Sequence, residues 1–190
     1  LDSAQTLNFS MKRISAKLTS KRQAKFRIRG GELGSQLRRT ASLIHSDIDA
    51  PVIKVKIGGF DTHQNQQWKH RELLRNLARA LSDFSKAMKQ MGYWNDLLLL
   101  TYSEFGRRTI ENDSGGTDHG TAAPHFILGG AVKGGIWGKH PDLGDLIEGD
   151  MQFSMDYRSV YERVLTDWFG IQDNKFTSFR NAELDGIISL

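Results

Sequence analysis

The fold prediction depends on the stretch VIKVKIGGFDTH at residues 52–63 and on LLLLTYSE at residues 97–104. Residues 52–57 alternate apolar side chains with lysine and predict a strand, and four consecutive leucines are typical of a strand buried on both faces of a parallel sheet. Between them, apolar residues recur every three or four positions from 68 to 91, which predicts a helix that Gly92 closes with a left-handed cap. Strand, helix and strand in this order form a βαβ unit, which is nearly always right-handed.

Further elements are predicted on both sides of this unit. A helix is expected over residues 33–46, and a short third strand over residues 126–128. A last helix is expected to begin after Ser154 or Asp156 and to end at Gly170, because glycine favours the left-handed conformation that closes many helices. The alternation of helices and strands predicts an α/β protein.

The composition limits the classes of protein that fit the chain. Its 190 residues are 38% hydrophobic and 25% charged, as in a globular domain that buries its own core. Cysteine is absent, which excludes disulfide bonds and thiol chemistry. No apolar run approaches the roughly 18 residues that a membrane-spanning helix requires, so no transmembrane segment is expected.

Basic side chains concentrate at the amino-terminal end. Residues 1–50 contain ten Lys or Arg against four Asp or Glu, and apolar residues at 7, 11, 14 and 18 predict a helix there. One interpretation is a surface for nucleic acid or an anionic membrane; the other is a solvated or packed helix face. Because no aromatic side chain lies among the basic residues at 12–22, the stacking platform that single-stranded nucleic acid requires is missing there, and nucleic-acid binding is not expected. Residues 1–29 are predicted to be a basic helical segment that precedes a domain at 30–190.

Three motifs place acidic and imidazole side chains near predicted strand ends or loops. These motifs are GFDTH at 59–63, SEFGR at 103–107 and GTDHG at 116–120. In an open α/β sheet, ligands bind beyond the carboxyl ends of the strands. A mixture of oxygen and nitrogen donors without cysteine suits Zn²⁺, Mn²⁺ or Fe better than Ca²⁺. The candidate metal ligands are Asp61, His63, Glu104, Asp118 and His119.

Several of these residues could instead have a purely structural role. Asp61 could cap the helix that follows it, and Glu104 could pair with Arg107 or Arg108. The two arginines are also suited to bind a phosphate or sulfate oxyanion. His125 precedes a predicted strand, and the sequence leaves it open between a ligand, a hydrogen-bond donor behind a ligand, and an ordinary rim histidine.

From Gly30 to Gly170, the chain resembles the bacterial family known as domain of unknown function 1501. The resemblance rests on GGFDTH, SEFGRR, GTDHG, LGGAVKGG and DYRSVY, which follow one another in this order. It extends to the alkaline phosphatase and sulfatase superfamily, whose members hydrolyse phosphate or sulfate esters, usually over one or two metal ions. The resemblance therefore implies an alkaline phosphatase-like α/β sandwich, with a largely parallel sheet and helices on both faces.

The same resemblance implies roles for individual residues. Asp61 and His63 would share one metal, His119 would return to it, and Glu104 would serve a second metal. The superfamily carries its nucleophile and another metal-binding Asp near the start of the domain, and residues 1–50 show no strand followed by such an Asp. We therefore expect the chain to be the carboxyl-terminal part of a longer protein. An uncovered sheet edge would then favour a homo-oligomer.

The resulting hypothesis is a metal-dependent hydrolase that acts on small phosphate or sulfate esters with Zn²⁺ or Mn²⁺. Arg107 and Arg108 would contact the substrate. The second hypothesis is a non-catalytic relative that keeps the fold and one metal for binding or assembly at a cell surface. Members of the family often carry export signals, so the resemblance is compatible with an exported or periplasmic protein, and the residues themselves leave the compartment open.

Overall fold

The computed structural model describes residues 26–190. These residues form two compact units: residues 26–61 with 68–93, and residues 62–67 with 94–190. Most of the predicted basic segment lies outside the described residues, and the domain boundary at residue 30 stays a prediction. Within the described part of the chain, no helix has the length and apolar character needed to cross a membrane.

The helices predicted over residues 33–46 and 68–91 are confirmed, whereas the one predicted from the apolar residues at 7–18 lies outside the described residues. Helix α1 is Gly31–His45, and helix α2 is Gln66–Met91. Gly30 precedes α1 with a φ of 103°, and a side chain there would lie 2.7 Å from the Cβ of Ala80, so glycine allows the chain to pass close to α2. Helix α2 ends at Gly92, whose φ of 82° is the left-handed cap expected from the sequence.

The core of the first unit is apolar and includes one neutralised carboxylate. Arg29 donates to the carboxylate of Asp83 from its backbone N at 3.0 Å, from Nε at 2.8 Å and from Nη2 at 2.9 Å. These hydrogen bonds hold the pKa of Asp83 well below its ordinary value, and they compensate for the burial of its charge. The buried apolar side chains of this unit are Ile28, Leu33, Leu37, Ala41, Ala80, Phe84, Ala87 and Met88.

The predicted strand over residues 52–57 is absent from the structure. Val52 is 74% exposed, and the backbone N and O of Lys56 bond to the side chain of Gln36 at 2.8 Å each. A strand requires a neighbouring backbone as a hydrogen-bond partner, which alternation of side chains does not supply. The predicted βαβ unit is therefore not formed among the described residues.

The second unit contains three antiparallel sheets of two strands each. The leucine strand and the third predicted strand are confirmed to within one residue, and they pair with each other. A parallel sheet is not found among the described residues, so the alkaline phosphatase-like sandwich stays a prediction. The pairs are β1 (Leu98–Leu100) with β4 (Ile127–Gly129), β2 (Gly106–Glu111) with β3 (Thr117–Gly120), and β5 (Leu146–Ile147) with β6 (Asp150–Met151).

The last predicted helix is also present, in two parts. Helix α3 is Tyr157–Arg163, and the carboxylate of Asp156 caps it by accepting from the backbone N of Arg158 at 2.9 Å. A π-helical segment, Val164–Trp168, continues it, and Phe169, which follows this segment, is 40% exposed. The core cluster of Leu184, Ile187 and Ile188 packs against Leu98, Ile127, Trp137, Val160, Val164 and Trp168.

Candidate metal centre

The GTDHG motif forms strand β3 of the β2–β3 hairpin. Arg107 of β2 stands opposite His119 of β3, and Arg107 Nη1 donates to the backbone O of Thr117 at 2.7 Å. A Cβ at Gly106 would lie 2.6 Å from the carbonyl carbon of Ala122, so the first residue of β2 passes close to the backbone that follows β3. The hairpin therefore holds Asp118 and His119 on a fixed backbone, while both side chains remain exposed.

The GFDTH motif continues into a segment that lies along the turn of this hairpin. Asn112 Nδ2 donates to the backbone O of His63 at 3.0 Å. A Cβ at Gly116 would lie 2.5 Å from that same O and 2.5 Å from the backbone N of Gln64, so the approach requires glycine. The backbone hydrogen bonds between the two segments run from Asn65 N to Ser114 O at 3.1 Å, from Gln66 N to Gly115 O at 2.8 Å and from Thr117 N to Thr62 O at 3.4 Å.

This packing brings three of the five predicted metal ligands together. Asp61, His63 and His119 each offer one ligand atom, and these atoms all lie within 4.8 Å of one another. The imidazole centroids of His63 and His119 are 5.0 Å apart, with their planes inclined by 35°. Asp61 is joined through the peptide bond to Thr62, where the second unit begins. All three side chains are exposed and thus accessible to an ion from solvent.

Asp118 is not part of this group of three, but it contacts His63. Its Oδ1 is 3.2 Å from Nδ1 of His63. A histidine that binds a metal through one ring nitrogen commonly donates the N–H of the other to a carboxylate, which fixes the tautomer and the ring orientation. Asp118 is in the position of that carboxylate, so Nε2 is the nitrogen through which His63 would bind an ion.

Glu104 is not brought into this group. It is exposed, and within residues 26–190 it makes no hydrogen bond or ion pair. The neighbouring arginines have other partners. Arg107 Nη1 donates to the backbone O of Thr117, and Arg108 Nη2 donates to the backbone O of Glu148 at 2.9 Å. Strand β1 ends at Leu100, four residues before Glu104, and the irregular stretch between them leaves the carboxylate in solvent.

Two alternatives from the sequence are not supported among the described residues: Asp61 as a helix cap and His125 as a ligand of the same metal ion. Helix α2 begins at Gln66, which is too far along the chain for Asp61 to cap it. His125 is outside the group of metal-capable side chains. Desolvation of its imidazole lowers the pKa of His125, and a hydrogen bond with the backbone of Thr101 opposes that shift.

Sequence reasoning missed the residues that support the group. The ring of Phe105 stacks on the imidazole of His119, with centroids 3.7 Å apart and planes inclined by 7°. The guanidinium carbon of Arg107 lies 5.0 Å from the centroid of Phe105. Phe105 stands inside the SEFGR motif, which was the available signal, but no spacing rule connects it to His119. The contacts of Asn112 and Gly116 likewise depend on a backbone approach that is not local in sequence.

The described residues therefore form helices and small antiparallel sheets, and they include a candidate metal centre formed by the GFDTH segment and the β2–β3 hairpin. Residues 38–177 match the model of the family described as Protein of unknown function (DUF1501). The match covers most of the chain and includes all three motifs, and the chain belongs to this family. No curated protein and no solved structure matches it. The family resemblance is confirmed, whereas the placement in the alkaline phosphatase and sulfatase superfamily stays a prediction.

Proposed function

We propose that the chain is the metal-binding part of an alkaline phosphatase- or sulfatase-like hydrolase that acts on phosphate or sulfate esters. The observation that carries the proposal is the group of one carboxylate and two imidazoles formed by Asp61, His63 and His119, with ligand atoms within 4.8 Å of one another. Two histidines and one carboxylate are a known donor set of catalytic zinc sites, which keep a further position for water or substrate.

The donor set fits Zn²⁺ or Mn²⁺. Ligand bonds of about 2.0–2.2 Å place two ligands of a tetrahedral ion roughly 3.4 Å apart. Atoms that are within 4.8 Å of one another reach that spacing by small side-chain rotations. The hydrogen bond between Asp118 and His63 supports the same assignment, because it prepares one ring nitrogen for the ion. Ca²⁺ fits poorly, since it takes oxygen ligands only.

Each residue then has a role. Asp61, His63 and His119 hold the ion, and Asp118 orients His63. When bound, the ion supplies Lewis-acid polarisation of the ester oxygen. Arg107 lies across the hairpin from His119, which supports its assignment as the contact for the tetrahedral oxyanion.

Arg108 has less support as a substrate contact. Arg107 stands opposite His119, so their side chains share one face of the hairpin, whereas the register of β2 shifts between Arg107 and Glu111 and leaves Arg108 with no residue of β3 directly opposite it. The proposal therefore assigns the oxyanion contact to Arg107.

The nucleophile is proposed to lie outside residues 26–190. Of the hydroxyl groups in the three motifs, those of Thr62 and Thr117 are buried, and Ser103 Oγ donates to the backbone O of Phe105 at 2.8 Å. A catalytic hydroxyl needs both an adjacent base and an exposed position. Thr62 and Thr117 lack the exposure, and the exposed Ser103 donates to a backbone carbonyl rather than to a base. The same observation favours a second candidate function, a non-catalytic domain that binds one metal ion for assembly or ligand binding.

Oxyanion binding separates the two candidates. The zinc-loaded chain is titrated with phosphate, sulfate and vanadate by calorimetry, with Arg107→Gln as the test variant and Arg79→Gln, an exposed arginine of α2, as the control. The hydrolase proposal predicts binding that requires the metal, weakens in Arg107→Gln and is unchanged in Arg79→Gln. Absence of binding at millimolar concentration of all three anions would refute it and favour the non-catalytic function. A longer form of the protein is then assayed on chromogenic esters, where Asp61→Ala should abolish turnover.

A further inference from the structure

The imidazole of His119 is covered by an aromatic ring. Phe105 lies almost parallel to it, at a centroid distance of 3.7 Å and an interplanar angle of 7°. The guanidinium of Arg107 also lies over the Phe105 ring, with its carbon 5.0 Å from the centroid. Arg107 is itself fixed by its hydrogen bond to the backbone of Thr117. His119 is thus one member of a stack whose other members are held by the hairpin.

The backbone of Phe105 is held on both sides. Ser103 Oγ donates to its carbonyl O at 2.8 Å. On the other side, Gly106 pairs with Gly120 in the hairpin, close against the backbone of Ala122. The ring of Phe105 is therefore carried by a fixed segment, and it can act as a flat support for a side chain that would otherwise rotate in solvent.

Such a support matters for a metal ligand. An exposed histidine on a strand turns about two side-chain bonds, whereas a metal site accepts deviations of only about 0.2 Å in its ligand distances. A stacked pair of rings has a preferred geometry that adds to the effect of burial alone. The Arg107 guanidinium is attracted to the face of the Phe105 ring, and this attraction helps to hold Phe105 in the stack.

We infer that Phe105 is a positioning residue that sets the plane of the His119 imidazole for metal binding. The inference rests on the proposed metal centre, and Phe105 acts only through His119. It predicts that a flat aromatic ring, rather than apolar volume, is what the position requires.

The test measures zinc affinity by competition with a chromogenic chelator. Phe105→Leu removes the flat ring, Phe105→Tyr keeps it, and Phe153→Leu, at a 60% exposed phenylalanine of the same unit, is the control. We expect Phe105→Leu to weaken zinc binding on the order of 3- to 10-fold, and the other two variants to stay within about twofold of the unaltered chain. Where Phe105→Leu does not fold, Phe105→Met replaces it with the same expectation.

A second measurement needs neither metal nor activity. In the metal-free protein, the ring current of Phe105 should shift the carbon-bound proton resonances of His119 upfield, and the shift should persist in Phe105→Tyr but disappear in Phe105→Leu. Unchanged zinc affinity in a folded Phe105→Leu variant would overturn the inference while the metal centre stands. Equal losses in the Leu and Tyr variants would also overturn it. If the unaltered chain binds no zinc, or if His119→Ala binds it equally well, the inference and the proposed centre fail together.

Discussion

Replacement of Gly116 by alanine should open the candidate metal centre. The added Cβ would lie 2.5 Å from the backbone O of His63 and 2.5 Å from the backbone N of Gln64, whereas ordinary contacts begin at 3.4 Å. The two segments must therefore separate by about 1 Å. Gly116 does not have a left-handed backbone, so the effect of the substitution is steric alone.

The separation affects stability and metal binding to different extents. Overpacking of this kind costs roughly 1–3 kcal/mol of the free energy of unfolding. The hydrogen bond from Asn112 to His63 and the neighbouring backbone bonds would be stretched with it. Because metal–ligand distances tolerate only about 0.2 Å, a shift of His63 away from His119 should weaken zinc binding by at least about tenfold.

Two assays check this prediction against a matched control. Gly134→Ala adds the same atoms in the same unit, at a position with no neighbouring atom within 4 Å. Urea unfolding gives the stability of each variant, and chelator competition gives its zinc affinity. The reasoning is refuted if Gly116→Ala and Gly134→Ala have equal unfolding free energies and equal zinc affinities.

Three further predictions concern Asp83, Asp156 and Asp118. The hydrogen bonds from Arg29 lower the pKa of Asp83 in the folded protein. The Asp83–Arg29 pair therefore contributes its full stabilisation above the pKa of Asp83 in the unfolded chain, about 3.9, and this stabilisation is lost as the pH falls through the pKa of the folded state. Asp83→Asn should therefore flatten the acid limb of the unfolding free energy, and an unchanged limb in urea titrations would contradict this. Asp156→Ala removes the cap of α3 and should lower the free energy of unfolding in urea by about 1 kcal/mol. Asp156→Asn keeps a capping oxygen and should lower it less. Equal losses of unfolding free energy in the two variants would argue against a capping role. Asp118→Asn should weaken zinc binding about tenfold in chelator competition without changing the stoichiometry, while Asp113→Asn, at an exposed residue of the turn between β2 and β3, should have no effect. Equal affinity of the two variants would show that Asp118 does not orient His63.

The features that the sequence predicted correctly are local ones. Helices α1 and α2 follow from apolar periodicity, and Gly92 and Asp156 mark helix ends through their own backbone and side-chain chemistry. The strands near Leu98–Leu100 and Ile127–Gly129 follow from short apolar runs. The sequence also predicted that the GFDTH and GTDHG motifs share a metal ion; Asp61, His63 and His119 do lie close together, and metal binding itself stays a prediction.

The features that the sequence did not predict depend on partners distant in the chain. Residues 52–57 have the alternation of a strand, but the side chain of Gln36 takes the place of a neighbouring strand. The leucine strand pairs antiparallel with β4, which composition alone cannot distinguish from parallel pairing. Glu104 was assigned by its position after the leucines, yet the chain leaves the strand before reaching it. The stacking of Phe105 on His119 is likewise a tertiary contact.

The roles proposed for Asp118, Arg107 and Phe105 all require that a single divalent ion binds to Asp61, His63 and His119. Diffraction from crystals of the zinc-loaded protein at the zinc absorption edge tests it directly. The account predicts one strong anomalous peak about 2.0–2.2 Å from an imidazole nitrogen of each histidine and from a carboxylate oxygen of Asp61. A zinc peak at other residues, or the absence of any peak with the two imidazoles turned away from each other, would contradict it.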